Sequence, residues 1–293
     1  MSAGRDIDHL VVVVNDLTTA RERYERMGFK TTPLGRHPWG TANHLLQFPR
    51  NFIELLGVVD TGELTPTSED HFSFGAHAHA FLRRREGLCM LVLTTGDADA
   101  DAEEWKARGL HAYPPFHWSR RATMPDGTDT TVAFSLSFVT SPLMPELAFF
   151  SCQQHNPEAF WKPQYQQHAN GARGVRAVTL VDEEPARHAA FFSALLGDAR
   201  MEMSPEALTM HCGHGEIRVQ SPRAFAAHYP AARPAGQGVG AALRAASIEV
   251  TDLNRVARCL ADNGIIHARS DSAIQLGEDQ CCGLTLEFVP APA

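Results

Sequence analysis

The sequence predicts an α+β fold built from four βαβββ units, divided into two halves at about residues 1–160 and 172–293. Three observations carry this prediction. A pattern of short apolar strand, Asp or turn, amphipathic helix and glycine occurs four times along the chain. The length of 293 residues allows two domains of ordinary size. Hydrophobic residues make up 44% and charged residues 20%, a globular balance that excludes wholesale disorder.

The first unit opens with the apolar strand IDHLVVVV at residues 7–14. Asp16 follows where a short side-chain acceptor satisfies the free N–H groups of a helix start. The helix runs to about Met27, and Gly28 stands where a left-handed cap is wanted. Strands are then expected at residues 29–32, 42–48 and 51–56, the last two joined as a hairpin by Pro49-Arg50-Asn51. The second unit repeats the pattern with a strand at 88–95, Asp97, a helix containing Trp105, Gly109, and strands at 131–139 and 147–152. The third has a strand at 175–181, a helix through Phe191-Phe192 to Gly197, and strands at 208–212 and 216–219. The fourth has a strand at 243–250, Asp252, a helix with Val256 and Leu260, Gly264, and strands at 273–276 and 284–289. Residues 61–80 read as a loop or lid, and residues 156–174 and 222–240 as connecting loops.

Charge and motifs exclude several function classes. The net charge of −8 lacks the concentrated positive field that nucleic acid requires. No apolar run approaches the ~18 residues of a membrane span. The N-terminal residues show no secretory signal, so the expected setting is cytoplasmic. The six cysteines form no CxxC, and reduced, mostly buried thiols are expected. There is no GxSxG elbow, P-loop or GxGxxG after a strand. The expected partner is a small molecule. Whether the halves pair within one chain or across a homodimer is left open.

The order of units, with IDHLVVVVNDL at the start and FIELL closing the first unit, resembles the vicinal oxygen chelate superfamily of glyoxalases, ring-cleaving dioxygenases and bleomycin-resistance proteins. More narrowly, it resembles the glyoxalase-like domain group. That match is carried by GRHPWGTAN at 35–43, FIELL at 52–56, MPDG at 124–127 and FFSCQQH at 149–155, and covers about residues 7–170. Residues 175–290 match only as a diverged repeat. The resemblance implies paired units curled around a cavity, with a divalent metal (Zn, Ni, Mn or Fe) held by the first and last strands of each unit. It implies isomerase or lyase chemistry of the glyoxalase type, with metal-dependent hydrolysis or oxygenation second, and sequestration of a ligand without turnover as the competing class.

Alternate residues of a strand share a face, so His9 stands out among Ile7, Val11 and Val13, and Glu54 between Phe52 and Leu56. Two polar groups aimed at an apolar concavity must bind something or each other. Three readings stay open: a metal held by His9 and Glu54, an inert hydrogen-bonded pair, or a metal-free ligand pocket. Aligning Asp97 with Asp16 puts Met90 opposite His9, and Phe149 about where Glu54 falls, so two further ligands are missing there. Two readings stay open for Gln153 and His155, placed on the face of Phe149: they replace the missing ligands, or, with Gln154, they cap the strand and begin the linker. Thr41 and Asn43 are expected to contact substrate, Glu54 or His37 to move a proton, and Arg120 to bind a substrate carboxylate. Aromatics Trp39, Trp118 and Phe149 are expected near the pocket. In the second half Ala177 replaces the histidine, Glu287 aligns with Glu54, and the half reads as a structural or dimerising copy. Of the 15 histidines, His71, His77, His79, His111, His168, His188, His211, His214 and His228 are expected at the surface.

Overall fold

A computed structural model describes residues 5–123, 129–234 and 240–291, so the MPDG motif lies outside the described residues. The first half runs β1 (Ile7–Val13), α1 (Leu17–Arg26), β2 (Gly35–Arg36), β3 (Thr41–Gln47), β4 (Phe52–Val58), α2 (Phe74–Leu82), β5 (Gly87–Thr94), α3 (Ala98–Ala107), β6 (His111–Ala112), β7 (Phe116–Thr123), β8 (Asp129–Thr140), β9 (Ala148–Gln154) and α4 (Pro157–Phe160). The second runs β10 (Ala172–Val181), α5 (Ala189–Leu196), β11 (Arg200–Ser204), β12 (Ala207–Cys212), β13 (Gly215–Gln220), α6 (Pro222–His228), β14 (Ala242–Val250), α7 (Leu253–Asp262), β15 (Ala268–Arg269), β16 (Ile274–Leu276) and β17 (Thr285–Pro290). This is the α+β fold of paired βαβββ units.

Each half forms one mixed sheet. The first has the order β2-β3-β4-β1-β5-β9-β8-β6, with β7 hydrogen-bonded to β8, and the second the order β11-β12-β13-β10-β14-β17-β16-β15. In each, the opening strands of two units pair antiparallel at the centre, β1 with β5 and β10 with β14. Their closing strands then flank them in parallel, β4 on β1 and β9 on β5.

The helix starts follow the sequence. Asp16 accepts from the Thr19 amide at 2.6 Å, Asp97 from Ala100 at 2.9 Å and Asp252 from Asn254 at 2.8 Å. Gly28, Gly109, Gly197 and Gly264 all take positive φ past their helices. One face of each sheet packs into a shared layer holding α1, α3, α5 and α7. Trp105 of α3 is fully buried there and its indole N–H donates to the Leu195 carbonyl of α5 at 3.0 Å. Phe149 packs edge-on against Phe192 in the same layer.

Several expected connections carry structure instead. Residues 74–82 form α2 rather than a loop, because Phe74, Ala78 and Phe81 recur at helical spacing and Ser73 caps the Ala76 amide. Residues 222–228 form α6, started by Ser221 and Pro222. Conversely, residues 29–32 form no strand. The Lys30 amide donates to His168 Nδ1 at 2.9 Å, and Pro33 has no amide to offer. The histidines are less superficial than expected. His168 and His188 are buried, and His71 reaches the cavity described next.

Candidate active site

The other face of the first sheet, closed by α2 and the β7–β8 hairpin, surrounds a cavity of about 310 Å³. Its wall is aromatic because β7, β8 and β9 place alternate residues inward: Phe116 and Trp118, then Phe134 and Phe138, then Phe150. Trp39 closes one side, edge-on to both Phe116 and Trp118. Cys152 also lines the wall. Burial pushes its thiol well above the usual range, so it presents a neutral, apolar surface.

Polar groups gather at one region of this wall. His9 lies on β1 and Glu54 on β4, both buried, with His9 Nε2 4.0 Å from Glu54 Oε2. That gap is too long for a hydrogen bond and short enough for a single oxygen to touch both. Each side chain is held from behind. His9 Nδ1 meets Asp8 Oδ1 at 2.6 Å, and a carboxylate only accepts, so the hydrogen sits on Nδ1 and Nε2 faces Glu54. Adjacent strand residues ordinarily point to opposite faces. Here the β1–β5 register slips between Ile7 and His9, and the irregularity lets Asp8 reach its neighbour. Gln154 donates to the other Asp8 oxygen at 3.2 Å. The His9 ring stacks on Phe52, centroids 4.2 Å apart, and meets Phe150 edge-on.

Glu54 Oε1 accepts from Asn43 Nδ2 at 2.6 Å. The second Asn43 N–H points to His37 Nε2 at 3.3 Å, and His37 Nδ1 donates to Thr41 Oγ1 at 2.8 Å. Burial holds the His37 imidazole below its usual value, against the opposing charge of Glu54 and with help from Arg120. His37 is therefore neutral, stacked on Trp39, and engaged at both nitrogens. Asn43 Oδ1 lies so close to Gly35 that a Cβ there would stand 2.5 Å away, so glycine is required for this amide's position.

Thr41, His37, Asn43, Glu54 and His9 thus form one string of side chains, as the sequence grouped them. Gln153 and His155 do not join it. The register pairs β5 Val92 with Phe150, so Phe150, not Phe149, stands where Glu54 stands beside Val11. A shift of one residue reverses every face. Phe149, Gln153 and His155 point away from the cavity. Gln153 donates to the Gly96 carbonyl and accepts from the Ala98 amide at the start of α3, while the exposed His155 meets Ser135. Arg120 follows Trp118 on the inward face of β7 but is exposed, at the rim. Asp8 and Gln154 escaped the sequence reading, because a strand irregularity leaves no signature in residue types. The inward aromatics did leave one, as period-two alternation.

The fold family implies a divalent metal, and the donor set tests the fit. Leu10 and Leu91 pair at the centre of the sheet, so the pseudo-two-fold relation carries His9 to Met90 and Glu54 to Phe150. Two of four ligand positions are apolar. Among the described residues no group of three or more His, Cys, Asp or Glu side chains is arranged to hold a metal ion. A catalytic divalent site ordinarily has about three protein ligands, and this wall supplies two, His9 and Glu54. These residues do not fit a resident metal.

The second half departs further. Ala177 occupies the His9 position and Arg218 the Glu54 position. Glu287 accepts from Ser247 at 2.6 Å, Gln275 at 3.0 Å and His228 at 3.2 Å. Burial alone would raise its pKa, but these hydrogen bonds hold it below the usual carboxylate value. Its partners are internal, and the group closes its own half.

The family model described as "Glyoxalase-like domain" matches residues 7–196. No match was found among curated protein sequences. A hypothetical protein from Staphylococcus aureus is similar in structure, with a TM-score of 0.69, 13% identity and coverage of 98% of this chain and 100% of that one. The Mn(II)-bound glyoxalase from Novosphingobium aromaticivorans gives 0.57 at 11% identity, covering 98% and 83%. Homoprotocatechuate 2,3-dioxygenase from Arthrobacter globiformis gives 0.57 at 11% identity, covering 97% and 79%. At these identities the structures show the shared fold alone, and the family match assigns the rest: the chain belongs to the glyoxalase-like domain family.

Proposed function

We propose that this protein binds a small, largely aromatic molecule bearing vicinal hydroxyl and carbonyl oxygens and moves a proton on it, as an isomerase or lyase working without a resident metal. The observation that carries this reading is the pair His9 Nε2 and Glu54 Oε2, 4.0 Å apart within an aromatic cavity, each fixed from behind. A substrate hydroxyl seated between them donates to Glu54. His9 Nε2 then removes a proton from the carbon beside that oxygen. Asp8 steadies the resulting imidazolium at Nδ1, and Glu54 adds its charge on the other side. Return of that proton to the neighbouring carbonyl carbon, with the hydroxyl proton passed by Glu54 to the former carbonyl oxygen, completes an isomerisation. The ring of the substrate is held by stacking and edge contacts with Trp39, Trp118 and Phe150. His37, Asn43 and Thr41 position Glu54 and do not themselves carry the proton.

The test is deuterium exchange into the methylene of phenacyl alcohol in D₂O, followed by proton NMR on chelator-treated protein. Saturable exchange is expected, falling about 10²-fold or more in His9→Ala and in Glu54→Gln. Tight binding with no exchange above the His9→Ala background would leave the cavity a sequestering site. The aromatic wall favours that second reading, since apolar area alone supplies affinity without chemistry.

A further inference from the structure

Resting on that reading of the cavity, we propose that its ligand is an anion: an aromatic carboxylate held at the mouth by Arg120, with the oxygen-bearing end directed inward to His9 and Glu54. Strand β7 supplies the geometry. Phe116 and Trp118 line the cavity, and Arg120 is the next residue on the same face, exposed just beyond them. Among the described residues Arg120 has no ion-pair or hydrogen-bond partner, whereas Arg5, Arg50, Arg84, Arg187 and Arg244 each hold a carboxylate. Its fork of N–H groups is free to take a carboxylate in a two-point contact.

The rest of the cavity fixes the orientation. Among the described residues Glu54 is the one carboxylate in the wall, with Asp8 directly behind His9, and no Lys or Arg lines the interior. A ligand carboxylate placed there would face two like charges in an apolar enclosure, at high cost. At the mouth it meets Arg120 and water. The charge of Arg120 already reaches the interior, since it helps keep His37 neutral. The volume of about 310 Å³ is roughly twice the ~150 Å³ that accommodates a benzene, and so suits about two fused rings.

The test compares 6-hydroxy-2-naphthoate with 2-naphthol by calorimetric titration of the full chain. The wild-type protein should bind the carboxylate about tenfold more tightly. Arg120→Ala should remove that preference and change 2-naphthol affinity less than twofold, Arg120→Lys should restore part of it, and 0.5 M salt should erode it. Arg120 is exposed, so these variants should fold as the wild type does, which circular dichroism will confirm. Binding of 2-naphthol with no preference for the carboxylate, or a preference that survives Arg120→Ala, overturns the proposal and leaves the aromatic cavity standing. Failure of both probes to bind overturns the proposal and the cavity reading together.

Discussion

Helix α2 supplies Phe74 to the cavity wall, and it carries a titratable group that should govern acid stability. His77 packs on Phe72, and its Nε2 is buried with no partner. Protonation would put a hydrogen on that nitrogen with nothing to accept it. Burial accordingly lowers the His77 pKa from 6.5 to about 4, although the Glu146 backbone and carboxylate favour the charged form. The unfolded chain takes up this proton at a higher pH than the folded chain, so stability is complete above about pH 6.5 and falls as the pH drops toward 4. Traversed in full, that gap is worth about 3 kcal/mol, and between pH 7.5 and pH 5.0 about 2 kcal/mol. Urea unfolding at those two pH values, in the wild type and in His77→Gln, measures it. The variant should lose about 2 kcal/mol less than the wild type over this interval, whatever its starting stability. An equal loss in both proteins would refute the argument that His77 is held neutral by its surroundings.

Two other substitutions test the site and the frame. Gly35→Ala puts a methyl group against Asn43 Oδ1, so the Asn43 amide should leave Glu54 and His37, and exchange into phenacyl alcohol should fall about tenfold by NMR with little change in unfolding midpoint. His168→Ala removes a buried ring that donates to the Gln47 carbonyl at 2.8 Å and accepts from the Lys30 amide. Leaving both backbone groups unmet should cost about 2–3 kcal/mol in urea unfolding, with cavity binding of 2-naphthol retained.

The repeat was legible because three of the four units place an Asp before the helix and all four a glycine after it, and those caps stand where the sequence puts them. His9 and Glu54 were legible as polar residues interrupting apolar faces. The ligand substitutes were misplaced because a register is a long-range property: strand alternation names two faces for β9 without saying which is inward, and only its pairing with β5 decides for Phe150. The same limit hid Asp8, whose contact with His9 depends on a local irregularity between β1 and β5. Helix α2 was readable in principle from Phe74, Ala78 and Phe81, but the polar stretch before it masked the period. His168 and His188 look like surface residues by sequence, and tertiary packing buries them.

The central claim is that an aromatic ligand is held by this cavity without a metal ion. Titration of 2-naphthol into chelator-treated protein, followed through Trp39 and Trp118 fluorescence with and without added Mn(II), Fe(II), Ni(II) or Zn(II), tests it most directly. Saturable binding is expected in the metal-free protein, unchanged by any of these ions. Binding that appears only after one equivalent of a divalent ion is added, and is lost in His9→Ala, would contradict it.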